Sequence, residues 1–178
     1  MSLVGFKAQN HPQQVLVHSP RSHVDDRGTT PEVFDPLHER FGFTIDVAAA
    51  EHNAKLPRFY SIDDDGLEQS WAGERVWCNP PYSDIGPGVQ KAWTSGAELV
   101  VMLLPANRTE QRWWQDHVEP YRDRPGGVRC EFIPGRLRFL KPGQKHIGPN
   151  ERPRFGCCLL IWGREAAHEV GQGADDAA

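Results

Sequence analysis

Apolar positions fall at helical spacing near the start of this chain and in unbroken runs further on. Val33, Phe34, Leu37 and Phe41 recur every three or four residues, which predicts one buried stripe of a helix. Ahead of them, Thr29-Thr30-Pro31-Glu32 supplies a hydroxyl cap, a proline suited to the first turn and an acid at the positive end. Pro36 limits or kinks this helix, and Gly42 stops it. Phe43 to Ala48 reads as a strand ending in Asp46-Val47-Ala48-Ala49-Ala50. After an irregular stretch with an Asp63-Asp64-Asp65-Gly66 turn, Val76-Trp77-Cys78 reads as a second strand. Pro87 to Ala97 has helical character weakened by glycines, and Thr109 opens a helix bearing Trp113, Trp114, His117 and Val118. Leu99 to Leu104 is a continuous apolar run, suited to a central parallel strand covered on both faces. Val128 to Ile133 and Phe155 to Trp162 complete the strands.

Alternating strands and helices predict a three-layer α/β domain with a mostly parallel sheet. In such sheets ligands bind beyond the C-terminal ends of the strands. Asp46 closes the first strand and Asn79 follows the second, so the two are expected as neighbours on one rim. Residues 1–24 are polar and rich in His and Gln, and read as a mobile arm. Residues 25–164 form the single domain, and 165–178 a disordered tail.

The length of 178 residues suits one domain with a real core. No apolar run approaches the ~18 residues of a membrane span, and the N-terminus does not read as a signal peptide. Cys78, Cys130, Cys157 and Cys158 form no CxxC pair, and the eight histidines make no metal-ligand spacing, so buried free thiols and no metal are expected. The expected compartment is therefore the cytoplasm. A net charge of −4 argues against a globally basic nucleic-acid binder. Between Tyr121 and Arg164, however, ten basic residues face three acidic ones, so this stretch carries +7 and the remainder −11. One basic side could meet a polyanion; the plainer reading is a solvated surface with chance clustering.

The most specific chemistry is Asn79-Pro80-Pro81-Tyr82. Two prolines force an extended turn without backbone N–H groups, so neighbouring carbonyls face outward as acceptors. Asn79 adds its side-chain carbonyl, and Tyr82 can lay its ring on a flat base. Such a cup fits the exocyclic amine of adenine or cytosine, or an amide. Pro-Pro-Tyr also serves as a recognition segment, and Asn-Pro opens ordinary turns.

Thr30-Pro31, Phe43-Thr44-Ile45-Asp46-Val47-Ala48-Ala49, Asp65-Gly66-Leu67, Trp71 and Trp77-Cys78-Asn79-Pro80-Pro81-Tyr82-Ser83 occur in that order. They are followed by Val101-Met102-Leu103-Leu104-Pro105-Ala106-Asn107-Arg108-Thr109, Trp113-Trp114 and Gly135-Arg136-Leu137-Arg138-Phe139. This ordered set, over roughly residues 29–163, resembles the phage-type DNA N6-adenine methyltransferases of the Dam class. The resemblance implies a Rossmann-like methyltransferase fold, S-adenosylmethionine as cofactor and double-stranded DNA as partner. It implies that Asn79 and Pro80 bind the N6 amine, with Pro81 holding the turn and Tyr82 stacking on a flipped adenine. Thr30, Pro31, Asp46, Ala48 and Asp65 are the implied cofactor residues. Asp46 also reads as a helix cap and Asp65 as a simple turn residue. The widespread glycine-rich cofactor turn is absent, and the alanines after Asp46 stand in its place.

Arg108, Arg136, Arg138, Lys141, Lys145, Arg152 and Arg154 are expected on DNA phosphates, in insertions around 107–127 and 135–155, with one Arg free to read guanine. Trp113 and Trp114 read as packing residues rather than base stackers. Three other functions remain compatible with the cup: methylation of cytosine N4, methylation of a protein glutamine, and a noncatalytic nucleic-acid-binding relative. Neither the target sequence nor the oligomeric state is specified by these residues.

Overall fold

The computed structural model describes residues 28–140, 144 and 155–163. The expected N-terminal arm and C-terminal tail, together with Lys141, Lys145, Arg152 and Arg154, lie outside the described residues.

Helix α1 (Pro31–Phe41) starts and stops where its sequence directs. Thr30 is extended at φ −76° and ψ 155°, and its carbonyl accepts from the N–H groups of Val33 and Phe34. Gly42 takes the left-handed conformation at φ 59°, which lets its N–H donate to the His38 carbonyl at 2.7 Å. The helix runs past Pro36, anchored on either side by buried Phe34 and Phe41.

The strands are β1 (Gly28–Thr29), β2 (Ile45–Asp46), β3 (Arg75–Cys78), β4 (Leu99–Pro105), β5 (Arg129–Phe132), β6 (Phe139–Leu140) and β7 (Cys157–Gly163). Two further helices are α2 (Gly86–Thr94) and α3 (Arg112–His117). The main sheet has the order β2-β3-β4-β7-β5, and β1 pairs with β6 in a separate two-stranded ladder. β2–β3 and β3–β4 are parallel, whereas β7 is antiparallel to both β4 and β5. The sheet is therefore mixed rather than all-parallel: four strands share one direction and β7 runs against them, so two of the four strand pairs are antiparallel. An unbroken apolar run says that a strand is buried on both faces but not which way it points. Leu99–Leu104 and Phe155–Trp162 look alike in sequence yet run oppositely.

Alternate side chains supply the two faces. Phe34 and Phe41 of α1 pack with Phe43, Trp77, Val101, Leu103, Leu159 and Ile161 on one. On the other, Val76, Cys78, Val100, Met102, Leu160 and Trp162 pack against Val89 and Ala92 of α2 and against Trp113 and Trp114 of α3. The paired tryptophans are thus core residues, their indole N–H groups donating to Gln111 and Glu119 at 2.7 and 2.9 Å.

Most boundaries shift by one to three residues from the sequence expectation, and two of the shifts have a visible local cause. The helix expected from Thr109 begins at Arg112, because Gln111 is extended and its N–H closes a turn on the Arg108 carbonyl. The first strand shrinks to Ile45–Asp46, although Thr44 and Val47 still donate to the Arg75 and Trp77 carbonyls. The stretch read as irregular also adds an edge to the sheet. Phe59 bridges Asp46 in parallel, and Tyr60 donates to the Asp46 carbonyl at 2.8 Å.

Candidate active site

Because β2, β3, β4 and β5 share one direction, the segments that follow them emerge on one rim. They carry Val47 to Lys55, Asn79 to Tyr82, Arg108, and Ile133 to Arg138. Asp46 and Trp77 are partners in the β2–β3 register, which puts Asp46 and Asn79 at adjacent strand ends. Both line one shallow depression open to solvent, with Gly28, Thr29, Ala48, Asn53, Lys55 and Trp77.

Asp46 is 3% exposed. Its Oδ2 accepts from the Lys55 backbone N–H at 3.1 Å and its Oδ1 from the Ala48 N–H at 3.4 Å. Burial pushes its pKa up to about 6, against those two hydrogen bonds and the charge of Lys55. Burial likewise lowers the Lys55 ammonium pKa, while Asp46, Asp35 and Glu32 act through their charge to raise it. Asn53 folds the intervening turn: its side-chain oxygen accepts from the Ala50 N–H at 2.7 Å, and Ala54 donates to the Ala50 carbonyl. Gly28 lies against this turn, where an added Cβ would stand 3.5 Å from that of Asn53.

Asn79 is half-buried, and its Nδ2 donates to the hydroxyl of buried Thr29 at 3.3 Å. Its Oδ1 is the opposite prong of the amide. Pro80 is buried and Pro81 exposed, the Pro81 carbonyl accepting the Asp84 N–H at 3.2 Å. The ring of Tyr82 is half-buried, edge-to-face with Phe139 (6.2 Å, 90°) and Phe155 (6.0 Å, 65°). Its hydroxyl is buried with no hydrogen-bond partner among the described residues, and burial raises its pKa well above the ordinary phenol value.

Thr30 and Pro31 follow Thr29 directly, so α1 starts at the edge of the depression. Asp65 is exposed, with φ 49°. Its neighbour Gly66 is pressed so closely on the Val47 carbonyl that an added Cβ would lie 2.3 Å from that oxygen. The acidic turn is thereby tied to the segment after Asp46. Arg108 and Arg138 are half-buried and Arg136 exposed. Arg138 precedes Phe139, the register partner of Thr29, so the β1–β6 ladder draws this basic segment toward Asn79. Arg122 and Arg129, counted in the basic stretch, are instead taken up in ion pairs with Glu119, Asp123 and Glu131.

Sequence reading passed over Thr29, Asn53 and Lys55 as site residues. The available signal was weak: Asn53 and Lys55 are two of four polar side chains, with Glu51 and His52, that follow the alanines after Asp46. Among the described residues no cluster of three His, Cys, Asp or Glu is placed to hold a metal ion, and no helix is long and apolar enough to cross a membrane.

Sequence similarity to known proteins identifies the family. The chain is 38% identical over 65 residues to a DNA N-6-adenine-methyltransferase of Haemophilus phage HP1 (strain HP1c1), covering 35% of this chain. It is 37% identical over 91 residues to the DNA N-6-adenine-methyltransferase of Escherichia phage T1, covering 48% of this chain. Each match spans 38% of the relative's own length. The model of one family, DNA N-6-adenine-methyltransferase (Dam), matches residues 17–170, and the chain belongs to that family.

Proposed function

We propose that this chain is a Rossmann-like, three-layer methyltransferase, its single domain spanning residues 25–164, that methylates adenine N6 in a specific sequence of double-stranded DNA. Its setting is the cytoplasm of a bacterium or phage-infected host. The observation that carries this reading is the meeting of Asp46 and Asn79 in one depression at adjacent strand ends. The donor set there fits S-adenosylmethionine: a carboxylate, an ammonium and neutral polar groups for an amino-acid end, with small Ala48 leaving the backbone approachable. When bound, S-adenosylmethionine supplies an already activated methyl group, so no strong base is required of the protein.

Thr30, Pro31, Asp46, Ala48 and Asp65 hold the cofactor in this reading. Asn79 Oδ1 and the Pro80 carbonyl accept the two N–H bonds of the target amine. That grip turns its lone pair out of the ring plane and stabilises the positive charge developing on nitrogen, the cationic counterpart of an oxyanion hole. Pro81 keeps the turn extended. Tyr82, braced by Phe139 and Phe155, presents its remaining exposed surface to a base flipped from the duplex. Arg108, Arg136, Arg138, Lys141, Lys145, Arg152 and Arg154 meet phosphates.

Transfer of tritium from labelled S-adenosylmethionine to duplex DNA, RNA or protein, followed by nucleoside analysis, tests this. The expected product is N6-methyladenine in duplex DNA, with Asn79→Ala lowering turnover by about 10²–10³. Label on cytosine N4 or on protein glutamine would replace the substrate assignment. Near-normal turnover by Asn79→Ala would refute the acceptor mechanism.

A further inference from the structure

Lys55 is the cationic side chain among the residues lining the depression that holds Asp46 and Asn79. Its place is fixed by its own backbone, whose N–H donates to Asp46 Oδ2 at 3.1 Å. The Ala50–Ala54 turn behind it is closed by Asn53 N–H and Ala54 N–H on the Ala50 carbonyl, at 3.0 and 2.8 Å. One anion and one cation, both held to the same short segment, thus face a single small space.

The surroundings decide which ligand suits that pair. Asp46, Asp35 and Glu32 all act on the Lys55 ammonium through their charge. With one cation against three carboxylates, this corner carries net negative charge. A phosphate or nucleic-acid backbone would be repelled, so Lys55 is separate in purpose from the basic residues on the rim. A group carrying both signs, net positive overall, is favoured: its cation turns to Asp46 and its carboxylate to Lys55.

We infer that Lys55 is a specificity-determining residue that holds the carboxylate of the methyl donor's amino-acid end, with Asp46 facing the donor's ammonium. This rests on the donor assignment above and adds to it the means by which the protein tells an intact amino-acid end from a decarboxylated one. Asn53, beside Lys55, sets the spacing between the two charges by closing the turn.

Isothermal titration of the full chain with S-adenosylmethionine and with decarboxylated S-adenosylmethionine tests this without reference to turnover. A charged hydrogen bond predicts that the wild-type protein prefers the carboxylate-bearing ligand by about 10- to 150-fold. Lys55→Met should bring S-adenosylmethionine down to the affinity of the analogue while leaving the analogue's own affinity unchanged, and Lys55→Arg should restore most of the preference. Equal loss of both ligands in Lys55→Met would show that Lys55 only balances the neighbouring carboxylates, and would overturn the inference. Wild-type protein that binds both ligands equally overturns it without any variant. Binding of neither ligand removes the donor assignment itself, whereas discrimination without DNA methylation removes the substrate reading and leaves Lys55 in place.

Discussion

Asp46→Asn should make the ligand-free protein more stable at pH 8 while weakening its hold on the cofactor. Burial pushes the pKa of Asp46 up to about 6, against 3.8 for an ordinary aspartate. The gap of about two units corresponds to ~3 kcal/mol, at ~1.4 kcal/mol per unit. A carboxyl whose folded pKa lies above its unfolded value favours the fold in its protonated form. That contribution is full below about pH 4 and is lost as the pH rises through 6. At pH 8 the ionised, desolvated carboxylate therefore opposes folding. Asparagine removes the charge at nearly constant shape, but its single oxygen replaces one of two acceptors for the Ala48 and Lys55 N–H groups, a loss of ~1–2 kcal/mol. Lys55 also loses its closest compensating charge, although Asp35 and Glu32 remain. Cys78, whose thiol is held neutral by burial and by Asp46, is the other titratable group facing this carboxylate. The net gain should be ~1–2 kcal/mol at pH 8, which raises the melting temperature by roughly 2–8 °C for a domain of this size. Thermal melts of both proteins at pH 5 and pH 8 measure it: the advantage of Asp46→Asn should disappear or reverse at pH 5. A stability difference that does not change with pH would show that Asp46 is ordinary in its ionisation, and the reasoning would fail.

The same carboxylate should release a proton when a cationic ligand arrives. Near pH 6, binding heats for S-adenosylmethionine measured in two buffers of different ionisation enthalpy should differ, and Asp46→Asn should abolish the difference. Tyr82→Phe removes a buried hydroxyl that has no partner among the described residues and keeps the ring, so it should stabilise the protein by ~1–3 kcal/mol and leave methylation intact. A lower melting temperature would mean that the hydroxyl is satisfied. Gly66→Ala would drive a methyl group into the Val47 carbonyl, so it should destabilise by ~1–3 kcal/mol in chemical denaturation and weaken cofactor binding through the displaced Asp65 turn.

The local sequence determined those parts that depend on nearest neighbours. Thr30-Pro31 and Gly42 bound α1 because capping and left-handed φ are properties of single residues. The strand ends at Asp46 and Asn79 were readable because apolar runs stop there and polar or rigid residues follow. Their adjacency could be expected too, since consecutive parallel strands tend to lie side by side, as β2 and β3 do.

Chain direction and long-range partners were decided by the tertiary structure. The reversal of β7 leaves no mark on its composition, because a strand buried on both faces presents the same apolar surface either way. Thr29 reaches Asn79 fifty residues later only because β1 pairs with β6 at the rim of the sheet. Lys55 becomes a site residue only when the turn after Asp46 folds back over that aspartate's own carboxylate. The sequence by itself named the candidate acids, amides and prolines, since reactivity resides in side chains. Which of them share one small, partly desolvated space was decided by the fold alone, since distance and burial arise from contacts between segments remote along the chain.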